Sequence, residues 1–149
     1  MLKLIKRILG PERADAQAAG VHERGQLQLA VAVLVHEARR SDYAEEHVES
    51  AAAEQALREL LGLAPAESAA LLERGRAKAQ QLSSFYAPVS AVKRAFSLEE
   101  RIRLVEHLWR VAFADGLLNP YEDHYVRKIA HLLYVPNTRA MLARNRARG

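Results

Sequence analysis

Four carboxylates stand out by type and spacing. Asp42 is followed seven residues later by Glu49, and Asp115 seven residues later by Glu122. One shift of 73 residues carries the first pair onto the second. The same shift lays Val31 on Leu104, Val35 on Leu108, Ala38 on Val111, Ala56 on Ile129 and Leu60 on Leu133. Each copy therefore reads as a helix, a short loop opening on Asp, and a helix with Glu in its first turn. Two such hairpins packed about a pseudo-two-fold axis would bring the four carboxylates together. An all-oxygen ligand set suits calcium, magnesium or manganese better than zinc. Asp42, Glu49, Asp115 and Glu122 are thus the expected metal site, and a divalent cation the expected cofactor.

Each carboxylate also has a plainer explanation. Glu122 is the third helical position behind Asn119, where it would satisfy the Asn119 amide as half of a capping box. Glu46, a poor cap, stands at the matching place in the first copy, so Glu49 has simple solvation as its alternative. Asp115 would face the negative end of a helix dipole and needs a cation, an arginine or water. Gly116 supplies the left-handed residue that stops that helix.

Other chemistries are poorly served. With no cysteine there are no disulfides, thiolate metal sites or cysteine nucleophiles. The loops are too short for an EF-hand, no Glu-x-x-His suggests a di-iron site, and His22-Glu23 and His36-Glu37 lack the second His of a zinc protease helix. No catalytic triad or Gly-rich phosphate loop is visible. His124 and His131 read as surface residues, and Trp109 as core rather than a stacking platform.

The elements needed to position these residues are helical throughout. Leu2, Ile5, Ile8 and Leu9 have helical spacing, Gly10-Pro11 breaks it, and an alanine-rich stretch to about Gly20 reads as a linker. Leu27, Val31, Leu34 and Ala38 predict a buried helix over about 26–40. Its run from Leu29 to Val35 could pass for a strand, but the pattern is too long and no hairpin partner follows. Further helices are predicted over about 46–61, stopped by Gly62, and 65–81, opened by Pro65. A short helix around Val92, Ala95 and Phe96 is set off by Pro88. Ser97 and Glu100 form a capping box for a helix to about Ala114. Asn119-Pro120 opens another to about Tyr134, and a last one starts at Asn137. The expectation is an all-α bundle of about seven helices, with an amphipathic segment and linker over 1–24 and the domain over 25–149.

The run Leu108-Trp109-Arg110-Val111-Ala112-Phe113-Ala114-Asp115-Gly116, then Glu122, then Ile129 to Leu133, resembles the second half of a TerB-like tellurite-resistance domain. Residues Leu34 to Glu49 resemble the first half, with Tyr43 where the family pattern has Gly. The resemblance spans about residues 25–136. Related domains begin the DjlA-type co-chaperones, though the His-Pro-Asp of a J-domain does not occur here. The resemblance implies a non-enzymatic helical module of tellurite resistance and stress response, with an acidic surface suited to a divalent metal.

Charge bounds the partners. The net charge of +4 combines three positive residues in the first ten and six from Val126 onward with an interior of −5. An acidic body without aromatics interleaved among its basic residues argues against nucleic acid. The leading reading is a cytoplasmic binding or scaffolding module with a protein partner. The second is a membrane-surface adaptor at the inner membrane face, using the amphipathic start (Lys3, Lys6, Arg7) and the basic tail on anionic lipid. A small metal-dependent hydrolase ranks last, for want of a nucleophile and base.

Overall fold

The computed structural model describes the backbone of residues 14–39, 46–114, 116 and 118–149, with side chains described from residue 20 and, after the first gap, from residue 50. The expected helix at residues 2–9 lies outside the described residues. Within them the chain forms seven helices and no strand. They are α1 (Ala14–Ala38), α2 (Glu46–Leu61), α3 (Pro65–Gln81), α4 (Tyr86–Ala95), α5 (Leu98–Ala112), α6 (Pro120–Leu132) and α7 (Asn137–Arg148).

The architecture follows from α1. Five consecutive residues, Val31 to Val35, are all buried, so this stretch is apolar around its whole circumference and needs neighbours on every side. It has them in α2, α3, α4, α5 and α6. The closest approach is to α3, where a Cβ placed on Gly75 would meet the backbone and Cβ of Ala32 at 2.8 Å. Glycine there is a packing requirement. The six residues expected to share one core, Val31, Leu34, Leu60, Leu104, Leu108 and Leu133, are each fully buried in a single cluster. Leu71 and Leu72 of α3 join it, and Phe85 packs against it.

Helix boundaries obey local chemistry. The Ser97 hydroxyl accepts from the Glu100 amide at 3.2 Å and the Glu100 carboxylate from the Ser97 amide at 2.7 Å, the reciprocal box that opens α5. Gly62 (φ 68°) and Gly116 (φ 87°) are both left-handed, as stops for α2 and α5. Pro88 lies inside the first turn of α4, where its missing N–H costs nothing, rather than before the helix. The stretch read as a linker up to Gly20 is helical from Ala14 onward. Alanine has the highest helix propensity, and no proline interrupts the chain between Pro11 and Pro65. The boundary placed at residue 25 thus falls within α1.

The end of α6 carries one unusual residue. The Val135 amide returns to the Ala130 carbonyl at 3.0 Å and the Tyr134 amide to that of His131 at 3.0 Å, the paired bonds of a Schellman stop. The left-handed position is occupied by Tyr134 (φ 58°) where glycine is usual. Arg101 of α5 donates to the Leu133 carbonyl and ties the turn down.

The basic C-terminal segment is a docked helix rather than a free tail. Arg139 pairs with Glu99, Arg146 with Glu106, and Arg144 with Asp123, which also holds Arg127. Most of its positive charge is met by carboxylates of α5 and α6. No helix among the described residues is long and apolar enough to cross a membrane.

Truncating Leu108 to Ala should cost about 2–5 kcal/mol in urea unfolding, whereas the same change at half-exposed Leu142 should cost far less. Gly75→Ala should destabilise by about 1–3 kcal/mol through overpacking, despite its better helix propensity. A neutral or stabilising result would show that α1 and α3 can separate without loss.

Candidate functional site

Of the four expected ligands, Asp42 and Asp115 lie outside the described residues, and so does the side chain of Glu49, whose backbone is in α2. Glu122 is in view. It is 2 % exposed and its Oε1 accepts from the Asn119 amide at 3.3 Å, while the Asn119 side chain accepts from the Tyr121 amide at 2.7 Å. The capping role read from the sequence is therefore present. No group of three or more metal-ligating side chains forms among the described residues.

The surroundings of the two loops are better defined. Arg39, at the end of α1, donates to the Ser50 hydroxyl of α2 and to His36 Nδ1 at 3.2 Å. It bridges the two helices across the segment that contains Asp42. Burial, then the positive charge of Arg39 and Arg76, lowers the His36 pKa to about 4, consistent with a ring nitrogen that accepts. Tyr125, one turn after Glu122, is buried. Its phenol donates to the Leu34 carbonyl at 2.7 Å and its ring meets Phe85 edge-on at 5.7 Å. Burial raises its pKa well above the ordinary tyrosine value, so it remains a donor.

Between α2 and α5 lies a cleft of about 340 Å³ lined by Gln55, Glu59, His107, Arg110 and four alanines. His107 Nε2 stands 3.6 Å from Glu59 Oε2, and Arg110 reaches the same oxygen at 3.8 Å. Burial outweighs the neighbouring Glu59 and lowers the His107 pKa to about 4, so the ring is neutral at neutral pH. Ala52, one turn after Glu49, and Ala114, the residue before Asp115, both line this cleft. It thus adjoins one member of each carboxylate pair in sequence.

Reading the sequence did not single out His107 or Glu59. The available signal was positional: His107 lies between Leu104 and Leu108 on the inward side of α5, where a polar residue requires a partner. His124 and His131 are exposed as expected, and Trp109 is fully buried, with the Arg144 guanidinium 5.5 Å over its ring.

Residues 28–145 match the family model described as tellurite resistance protein TerB. No curated protein and no solved structure matches the chain.

The neutral, buried His107 generates a pH dependence of stability. Between pH 6.5 and about 4 the unfolded chain protonates this imidazole while the folded chain does not. The unfolded state then binds more protons, so stability falls as the pH drops through that window. His36, whose pKa is likewise lowered to about 4, acts in the same direction. His107→Gln should reduce the acid-induced loss by on the order of 3 kcal/mol, measured by urea unfolding at a series of pH values. Parallel curves for wild type and variant would show that the imidazole titrates normally in the folded protein.

Proposed function

Because the chain belongs to the TerB family, we propose that it is a non-enzymatic binding module of the tellurite-resistance type whose acidic pairs take up a divalent cation. The cation site comprises Asp42, Glu49, Asp115 and Glu122, and the bound ion conditions the surface offered to a protein partner. The supporting observation is the α2–α5 cleft: Ala52 and Ala114, near neighbours in sequence of Glu49 and Asp115, line the same depression. The non-enzymatic reading draws on how the buried polar groups are engaged. Glu122 caps a helix, the Tyr125 phenol holds the Leu34 carbonyl, and His107 faces Glu59. The Tyr125 and His107 side chains are thus engaged within the fold, and Glu122 serves as a cap beside its place in the cation site.

Hard oxygen donors favour calcium, magnesium or manganese, and an ion bound only by the folded state raises the melting temperature with its concentration. Glu122 is a poor choice for a first test, since Glu122→Gln would also disturb the start of α6. Asp115→Asn separates the two effects. Calcium, magnesium and manganese titrations followed by amide NMR and thermal melts should show a metal-dependent stabilisation that Asp115→Asn abolishes. In chelator the variant should melt with wild type. Equal destabilisation with and without metal would assign Asp115 a purely structural role and overturn the site.

A further inference from the structure

A groove of about 640 Å³ opens between the turn leading into α4 and the C-terminal end of α6. Its walls are largely apolar and include Tyr86, Val89, Leu132 and Tyr134, with Ser83, Ser84 and Ser90 beside them, while Lys93 and Lys128 supply a positive rim next to His131; no carboxylate is among its lining residues. Tyr86 is 79 % exposed and Tyr134 71 %. Apolar walls under a rim of one charge sign are a common form of binding surface.

The charge is distinctive when set beside α7. There Arg139, Arg144 and Arg146 each meet a carboxylate. Among the described residues, Lys128 and His131 have no carboxylate at ion-pair distance, and Lys93 engages the Tyr134 ring, its Nζ 4.2 Å from the centroid. Tyr134 itself is held in place beforehand. Its left-handed backbone is fixed by the paired bonds of the helix stop and by Arg101 on the preceding carbonyl. A non-glycine residue kept in that conformation is a feature that clusters at binding sites.

We infer that this groove docks an acidic polypeptide segment carrying an apolar anchor residue. The anchor lies between Tyr86 and Tyr134, and flanking carboxylates of the partner meet Lys93 and Lys128. The charge pattern selects this occupant. The chain's own start carries Lys3, Lys6 and Arg7 with no acid and would be repelled. With Lys93 over one face of the Tyr134 ring, that face is closed to a stacking base. A concave groove also suits an inserted side chain better than a bilayer surface. The inference is independent of the cation site, since it uses α4 and the far end of α6.

The test is fluorescence anisotropy of the full chain with a fluorescein-labelled peptide of repeated Glu-Glu-Leu-Phe. A Lys-Lys-Leu-Phe peptide, oligo-dT and phosphatidylserine vesicles serve as competing probes. Tyr134→Gly removes the aromatic wall and places in the turn the residue it favours, and Tyr86→Ala supplies a second variant at an exposed position. The acidic peptide should bind saturably and shift the amide resonances of Tyr86 and Leu132. Its affinity should fall about tenfold in Tyr134→Gly, in Tyr86→Ala and in the Lys93→Gln, Lys128→Gln double variant. Salt should weaken it. Absence of saturable binding, equal binding of the lysine peptide, or unchanged affinity in all folded variants would overturn the proposal. Tighter, variant-sensitive binding of oligo-dT or vesicles would also overturn it and assign the groove to that probe.

Discussion

The rest of the molecule is organised by the need to bury α1 on all sides. Residues Val31 to Val35 leave no polar stripe for water, so a helix pair or a two-layer packing would not cover them. Helices α2 to α6 all pack against this rod, and α7 packs in turn on α5 and α6. Gly75 lets α3 approach to backbone contact with Ala32. The Tyr125 phenol binds the Leu34 carbonyl, so α6 is fixed to α1 by a directed bond as well as by packing. The beginning of α6 therefore stands in a set relation to the core, and Glu122, one turn before Tyr125, shares it.

Most of the helical framework could be read from local signals because those signals are local in origin. A capping box involves residues three apart, and both Ser97–Glu100 and Asn119–Glu122 form as their spacing indicates. The core of Val31, Leu34, Leu60, Leu104, Leu108 and Leu133 followed from helical periodicity alone. The alanine-rich stretch has too few large apolar residues to show a helical periodicity and so reads as a linker, whereas the helix propensity of alanine agrees with a start of α1 at Ala14. The site was less legible for a different reason. The His107–Glu59 contact joins residues from separate helices, and the role of Tyr134 depends on a backbone angle and on Arg101 of another helix. No pattern within one segment encodes either.

The charge asymmetry acquires a structural meaning as well. A sequence with positive ends and an acidic interior suggests extended basic arms, yet α7 folds back so that Glu99, Glu106 and Asp123 receive its arginines. Such exposed pairs contribute little each to stability. Their larger effect is on recognition. They quench one positive surface, so that Lys93 and Lys128, which meet no carboxylate among the described residues, define another beside exposed tyrosines.

The position of the most apolar helix within the chain has a consequence for biosynthesis. α1 ends at residue 38, but α5, which covers one of its sides, ends at residue 112. At the usual rate of translation about 4 to 15 s separate their emergence from the ribosome. During that interval the nascent chain presents the run Leu29 to Val35 without its full set of partners, a β-prone and uncharged segment of the kind that nucleates aggregation. The fold thus places its greatest demand on chaperone protection early in synthesis, and the helix that organises the finished molecule is the one most exposed to misassembly while the molecule is being made.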